Sequence, residues 1–266
     1  MTEPRTPEDG ARFEPRPDQI RADTVDLQTG LSSLAGLVSG ASGLQEMLSR
    51  VATFAVRAIP GADGAGVTLL QSGHADGRID ALAASSAFVR NIDDIQYNVL
   101  NEGPCITAAA ERRTVRSGSL GGDPQWPRFG PRVSRLGVHS VLSLPLLISD
   151  QVVGAINVYA RDKDVFDDHA AELGELFAVP AAVAVHNAQV LAQAVALSTQ
   201  LQAALIARPV IDQAVGLLRG RTGASSDEAF ATLRAASQRE NLKLVVVAQR
   251  MVDEAVRRAR ARNREP

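Results

Sequence analysis

The chain has 266 residues, of which 45% are hydrophobic and 22% charged, enough to bury a sizeable core and a length that fits one medium domain plus one small one. A single cysteine, Cys105, excludes an internal disulfide and a cysteine-rich metal site, and only four histidines are present to replace such ligands. The net charge of −2 is unevenly spread: residues 201–266 hold 12 Lys and Arg against 7 Asp and Glu, a local +5 that leaves −7 on the first 200 residues, so a polyanionic partner is expected at the C-terminal end.

Residues 1–34 begin MTEPRTPEDGARFEPRPDQI, rich in proline and in both signs of charge and without the apolar core of a signal peptide, and they are read as a disordered tail. Leu44, Met47, Leu48, Val51, Ala55, Ala58 and Ile59 recur at three-four spacing, which predicts an amphipathic helix ending near Pro60-Gly61. Ala65–Leu70 and Ile79–Ala84 are short apolar runs joined by a polar, glycine-containing turn, and read as a strand pair. Phe88, Ile92, Ile95 and Val99 fall on one face of a further helix, closed by the Asn101-Glu102-Gly103-Pro104 break, with Pro104 suited to the first turn of the next helix. His139–Leu147 and Val152–Ala160 are the strongest strand signals and form a hairpin around Ser149-Asp150-Gln151 in the middle of the sheet. The pattern is that of an α+β domain with a central antiparallel sheet and flanking helices over residues 35–175.

A continuous helix then runs from about Asp167 to Arg219, bent near Pro180. Ala178–Leu197 lacks charged residues, yet Pro180, His186, Asn187, Gln189 and Gln193 interrupt it, so a mostly buried helix of a soluble protein is expected rather than a membrane span. Leu176, Pro180, Val183, Asn187, Val190, Ala194, Leu197, Leu201, Ala204, Arg208, Ile211, Val215 and Leu218 trace a seam of four- and three-residue steps, as in a coiled coil, with 176–204 as the connecting segment and Asn187 as a register-setting polar position. A homodimer through the 176–218 helix follows; the competing arrangement packs the seam against its own sheet domain. Three helices end the chain, over 205–256: one stopping at Gly223, one opened by the capping-box pair Ser225 and Glu228, and one capped by Asn241 with Leu244, Val247, Ala248, Met251, Val252 and Ala255 as its apolar face. Residues 257–266 form a basic tail.

The ordered series Asp94-Ile95-Gln96-Tyr97, Glu102-Gly103-Pro104-Cys105, Asp123-Pro124-Gln125-Trp126-Pro127, Gly137-Val138-His139-Ser140-Val141, Leu144-Pro145-Leu146 and Gly154-Ala155-Ile156-Asn157-Val158-Tyr159 resembles a GAF domain of the subtype found in actinobacterial regulators. The resemblance implies a sensory module with a ligand cavity on one side of the sheet, responding to a small-molecule or protein signal, and Cys105, Trp126, Asn157 and Tyr159 are the pocket candidates. The signature of cyclic-nucleotide-binding members is degraded here to Asp162-Lys163, Phe166 and Asp167-Asp168, and His139 beside a strand is a poor axial haem ligand, so no cofactor is expected. Cys105 at a helix start invites a redox reading through a stabilised thiolate, against the preferred reading of a buried thiol that packs as a small hydrophobe. Asp93, Asp94 and Glu102 have no nucleophile or histidine partner in the pattern, and no catalytic or metal site is assigned.

Leu201-Gln202-Ala203-Ala204-Leu205, Arg208, Ile211, Gln213-Ala214, Gly216-Leu217-Leu218, Thr222-Gly223, Asp227-Glu228-Ala229-Phe230, Leu233-Arg234, Ala236-Ser237-Gln238, Asn241, Lys243-Leu244 and Val247-Ala248 are similar to an ANTAR domain, the RNA-binding output module of bacterial antitermination regulators. By that resemblance Arg208, Ala214, Gly216, Ser237, Gln238, Arg239, Asn241 and Lys243 are candidate RNA contacts, the small residues permitting close approach and the others offering hydrogen bonds. Val215 and Val245-Val246 stand where the family commonly has charge. A cytoplasmic, signal-responsive regulator that binds tandem-hairpin leader RNA is the function implied; the alternative is a GAF-based interaction module whose C-terminal helices bind another regulator through Val245 and Val246.

Overall fold

The computed structural model of the chain describes residues 16–38, 43–70 and 79–262. It divides into two compact units, Met1–Ala192 and Gln193–Pro266.

The first unit is built on a five-stranded antiparallel sheet of order β2-β1-β5-β4-β3, from β1 (Gly64–Leu70), β2 (Ile79–Ala84), β3 (Val115–Ser117), β4 (Ser140–Ile148) and β5 (Gln151–Ala160). The expected strand pair and hairpin are both present, and β5 lies at the centre. The period-two alternation of strands sorts the side chains. Ala65, Val67 and Leu69 of β1, Leu142, Leu144 and Leu146 of β4, and Ile156, Val158 and Ala160 of β5 enter one core with α1 (Pro17–Val38), α2 (Leu44–Ala58) and the first part of α6 (Asp168–Thr222). The other face supplies Val141 and Tyr159 to a second, smaller core closed by α3 (Ala87–Asp94), a π-helix (Ile95–Leu100), α4 (Pro104–Glu111) and α5 (Phe129–Ser134).

Residues 17–38 correct the expectation of a disordered tail over 1–34. They form a helix whose buried stripe is Asp23, Leu27, Gly30 and Leu34. The stripe is hard to read because two of its four members are an acid and a glycine. Asp23 keeps its place by accepting from Gln19 Nε2 at 2.9 Å and standing 3.2 Å from His169 Nε2 on α6. A Cβ at Gly30 would meet Ala58 Cβ at 3.1 Å and the Phe177 ring at 3.5 Å, so α1 rides directly on α2 and α6. Residues 1–15 of the expected tail lie outside the described residues.

The helix predicted through Val99 changes character at Ile95. The π-turn carries one extra residue in the i→i+5 bond, so the three-four stripe loses phase; Val99 turns outward at 50% exposure while Gln96 is buried.

α6 is one helix of 55 residues and continues through both Pro180 and Pro209. It is long and apolar enough to cross a membrane by length and composition. Phe177, Ala178, Ala181, Ala182, Val185 and Gln189 are buried, but the expectation of a mostly buried Ala178–Leu197 fails beyond Gln189, where Val190, Leu191, Val195 and Leu197 are all exposed. The seam residues Leu176, Val183 and Asn187 are exposed as well, because the sheet domain takes the opposite side of the helix.

In the second unit the C-terminal part of α6, α7 (Ser226–Glu240) and α8 (Leu244–Arg262) share a core of Ala214, Val215, Ala229, Leu233, Val247 and Ala248, with Ile211 and Leu218 packed against it. Ile211, Val215 and Leu218 therefore leave the proposed seam, which ends near Arg208 in a single chain. The capping box is present: Ser225 Oγ accepts from Glu228 N, and Ser225 N donates to Glu228 Oε2 at 2.8 Å. Asn241 does not open α8. It closes α7 in the left-handed conformation, φ 51°, which asparagine tolerates better than most residues, and α8 begins three residues later. The basic tail expected from residue 257 is helical as far as Arg262, and residues 263–266 lie outside the described residues.

Leu34→Ala should lower unfolding free energy by about 2–5 kcal/mol, as for a buried leucine in a packed core. Urea unfolding of the full chain reads this directly, and an unchanged midpoint would return α1 to the status of a loose tail.

Candidate ligand cluster and nucleic-acid interface

The second face of the sheet carries a row of small and polar residues. In register across three strands stand Gly66, Asn157 and Ser143, with Gly64, Tyr159 and Val141 beside them and Thr68 further along β1. Glycine at 64 and 66 lets α3 lie close: a Cβ at Gly64 would sit 2.6 Å from the Phe88 ring, and one at Gly66 would sit 2.9 Å from Asp93 Oδ2. That approach delivers Asp93, Gln96 and Tyr97 to the polar row.

Three of the four pocket candidates meet there. Cys105, Asn157 and Tyr159 are fully or almost fully buried in one cluster, joined by Thr68, Asp93, Gln96 and Tyr97. The Tyr97 hydroxyl lies 2.9 Å from Thr68 Oγ1 and also contacts Cys105 Sγ, so its one proton serves one neighbour and the other returns its own. Gln96 Oε1 accepts from Cys105 N at 3.2 Å, and Ser143 Oγ donates to Asn157 Oδ1 at 2.7 Å. Gly103, at φ 155°, has no room for a Cβ, which would fall 2.2 Å from Gln96 Oε1. Trp126, the fourth candidate, is not a lid; it is 1% exposed in the second core, and its Nε1 donates to Thr107 Oγ1 at 2.9 Å.

Burial pushes the Cys105 thiol up from 9.0 to about 11, outweighing its hydrogen bonds with Tyr97 and Asn157. This removes the activated-thiolate reading: a helix N-terminus stabilises a thiolate only weakly against loss of water. Glu102 is held as a carboxylate by its neighbours. Partial burial works against its charge, but bonds from Phe129 N at 2.9 Å and from Arg128 N and Nε at 2.8 Å hold its carboxyl below the usual range and clasp the loop after the π-helix to the start of α5. His139 is half-buried and bonded to Ser134 Oγ at 3.0 Å. Among the described residues, no group of three His, Cys, Asp or Glu side chains could hold a metal ion.

Asp93 was not among the pocket candidates, although it is the most unusual ionisable group in the cluster. It is 1% exposed, neither carboxylate oxygen has a hydrogen-bond partner, and burial raises its pKa from 3.8 to about 8. The sequence signal was present but ambiguous: two adjacent aspartates at a helix end, of which Asp94 faces solvent and Asp93 faces Gly66.

On the second unit the candidate RNA contacts separate by exposure. Gln238, Arg239, Asn241 and Lys243 are exposed around the turn from α7 to α8, with Ser237 half-buried and donating to the Leu242 carbonyl. Arg208 is exposed on α6, loosely 4.0 Å from Asp212, and Gly216 is exposed with nothing within 4 Å of an added Cβ. Ala214 is 0% exposed in the helical core, so its side chain cannot be a contact surface. Val215 is buried beside it, which accounts for an apolar residue there, whereas Val246 is 48% exposed.

The neutral form of Asp93 is favoured by folding, and the unfolded chain loses that proton first. Stability from this group is therefore full below the unfolded pKa of 3.8, falls as pH rises and is gone above the folded value of about 8. Asp93→Asn should flatten this part of the profile and raise the denaturation midpoint relative to the native chain at about pH 9, where the native chain carries an unpaired buried charge. Parallel profiles for the two proteins would show that Asp93 is solvated.

The GAF domain family matches residues 41–186, and the ANTAR domain family matches residues 199–252. Among solved structures, a GAF domain from a phosphoenolpyruvate-protein phosphotransferase of Coxiella burnetii is 15% identical, covering 62% of this chain and 96% of that one at a TM-score of 0.48. Free methionine-R-sulfoxide reductase from Neisseria meningitidis is also 15% identical, covering 68% and 98% at 0.48. A search of curated proteins finds no match. With more than half of its length in the first match and the second following directly, the chain belongs to the GAF domain family and has the GAF-ANTAR arrangement of antitermination regulators.

Proposed function

We propose that the protein is a cytoplasmic, non-enzymatic regulator that binds tandem-hairpin leader RNA through paired ANTAR domains and thereby prevents a terminator from forming, under control of a signal received by the GAF domain. The observation that carries this reading is the ANTAR match over 199–252, on a unit whose α7–α8 turn exposes Gln238, Arg239, Asn241 and Lys243 together. Cationic side chains there supply affinity for phosphate, and the amides supply hydrogen bonds to the splayed bases of a hairpin loop. Arg257, Arg258, Arg260 and Arg262 on the last turns of α8 add to the positive field. Domains are assigned as 35–175 for sensing, 176–204 for connection and 205–256 for RNA binding, with α1 added to the first.

Pairing is supported by the exposed seam. Leu176, Val183, Val190, Leu197 and Leu201 stand 47–60% exposed at coiled-coil spacing in one chain, and burying them against a second copy contributes about 25 cal/mol per Å² of apolar surface. The same seam favours an aqueous location over a membrane one, since α6 is embedded at both ends in folded cores, through Phe177 and Val185 in one and Ala214 and Val215 in the other. Two linked RNA sites convert weak single contacts into tight binding of two hairpins by raising effective concentration. A regulator-binding C-terminus is favoured by one feature, exposed Val246 with Leu242 at 41% exposure nearby in sequence.

Binding to a two-hairpin leader RNA from the source genome, with a loop-scrambled control, should be loop-selective and weaken steeply with salt. Arg239→Ala and Lys243→Ala should each weaken it and reduce the salt slope by about 1, with helix content retained. Salt-insensitive or loop-indifferent binding would favour the protein-binding alternative. In sedimentation, the native chain should be a dimer and Leu197→Asp with Leu201→Asp a monomer; a native monomer at every concentration would remove the pairing.

A further inference from the structure

The cluster on the second face of the sheet holds more unsatisfied bonding capacity than packing explains. Both oxygens of Asp93, Gln96 Nε2, Asn157 Nδ2 and the Tyr159 hydroxyl are buried without a partner. Each such group is costly when left unbonded, so several in one place are a feature that stability alone would remove. They are also neighbours: Asp93 acts electrostatically on Tyr97, Cys105 and Tyr159, and Asn157 lies close to Cys105.

Their chemistry is one-sided. Asp93, once ionised, offers two acceptors on one planar group, while Gln96, Asn157 and Tyr159 offer donors, yet none of these donors reaches Asp93. Direct pairing would have closed the set, so the carboxyl and the donors keep their bonding capacity for a group from outside the chain. Among the described residues no lysine, arginine or histidine pairs with Asp93, so none of them would balance its charge once it ionises. Two parallel N–H donors on a planar cation satisfy both oxygens at once and cancel the charge, as a bidentate fork does. With the charge balanced, the remaining donors call for an uncharged acceptor.

We infer that this cluster recognises a small planar cation, a guanidinium or amidinium, paired two-pronged on Asp93, with a carbonyl or hydroxyl of the same ligand accepting from Asn157 and its donor neighbours. This rests on the GAF domain being the sensory unit and names its ligand class. The wall over the cluster is the π-helix, bounded by Asn101 at φ 49° and Gly103 at φ 155° and held by the Glu102–Arg128 clasp. π-turns concentrate at functional sites, and here the turn is what brings Gln96 inward. Binding ionises a carboxyl that is neutral in the free protein at pH 7, given its pKa of about 8, so a proton leaves as the cation enters.

The test uses the full chain with acetamidinium chloride, and with acetamide, which has the same shape and no charge, against a matched sodium chloride control. Acetamidinium should raise the melting temperature and bind with proton release, seen in calorimetry as a heat that depends on the ionisation enthalpy of the buffer. Acetamide should do neither, and Asp93→Asn should weaken acetamidinium binding by about tenfold or more, roughly 1.4 kcal/mol per factor of ten. Equal responses to acetamidinium and acetamide, or an unchanged response in Asp93→Asn, would overturn the inference and assign the orphan groups to buried water. Should the variant fail to fold, the contrast between the two probes on the native chain still decides. RNA binding measured on the same preparation separates the two readings: loop-selective RNA binding without a cation response removes only the ligand class, and a cation response without RNA binding removes only the proposed output.

Discussion

One helix constrains everything else in this protein. α6 contributes to both units, and in each its backbone hydrogen bonding fixes which side chains face the core. Phe177, Ala181, Ala182 and Val185 must point into the sheet domain's core, and Ala214 and Val215 into the helical core. The apolar seam is exposed from Leu176 to Leu201, and farther along the same stripe Ile211, Val215 and Leu218 enter the helical core. The alanines on the buried face serve this arrangement, because short side chains let the helix lie near the sheet without demanding much volume. Pro180 and Pro209 each remove one backbone donor within the helix; Pro180 sits among the packed residues Phe177, Ala178, Ala181 and Ala182, whereas Pro209 is exposed.

The sheet divides the first unit in a comparable way. One face is uniformly apolar and is covered by long helices. The other is covered by short, irregular elements, and its strands supply Gly64, Gly66, Thr68, Ser143, Asn157 and Tyr159 in place of branched aliphatics. Small residues on β1 admit α3, and the π-turn after it rotates Gln96 and Tyr97 inward. A polar interior results on the side where a ligand domain needs one, at a cost in unsatisfied groups that a purely structural core would avoid.

Much of this was legible in the sequence. Strongly periodic segments such as α2 and the β4–β5 hairpin declared themselves, and the capping box at Ser225 and Glu228 marked the start of α7. The failures have physical causes. α1 was missed because its buried stripe includes Asp23 and Gly30, whose suitability depends on Gln19, His169 and Phe177, residues that sequence spacing does not bring together. Val99 was placed inside because a 3.6-residue period cannot anticipate a π-turn. Asn241 serves equally as an N-cap or as a left-handed terminator, and only the φ angle distinguishes them. In the cluster, Asn157 and Tyr159 followed from strand alternation, whereas Asp93 depended on which of two adjacent aspartates faces Gly66. Ala214 was offered as a contact by resemblance, and its complete burial is a property of the three-helix core.

In the proposed dimer, α6 pairs two ANTAR units through its exposed seam. Insertions within the exposed 193–204 segment test this most directly, with affinity for two-hairpin and single-hairpin RNA measured side by side. A seven-residue insertion preserves the phase of a coiled-coil seam, while a two-residue insertion rotates one end by roughly half a turn against it. The seven-residue insertion should keep tight two-hairpin binding, and the two-residue insertion should lose it while single-hairpin affinity stays at the native value. Equal two-hairpin affinity in both insertions and the native chain would show that the ANTAR units bind independently, and would contradict the helix as the element that pairs them.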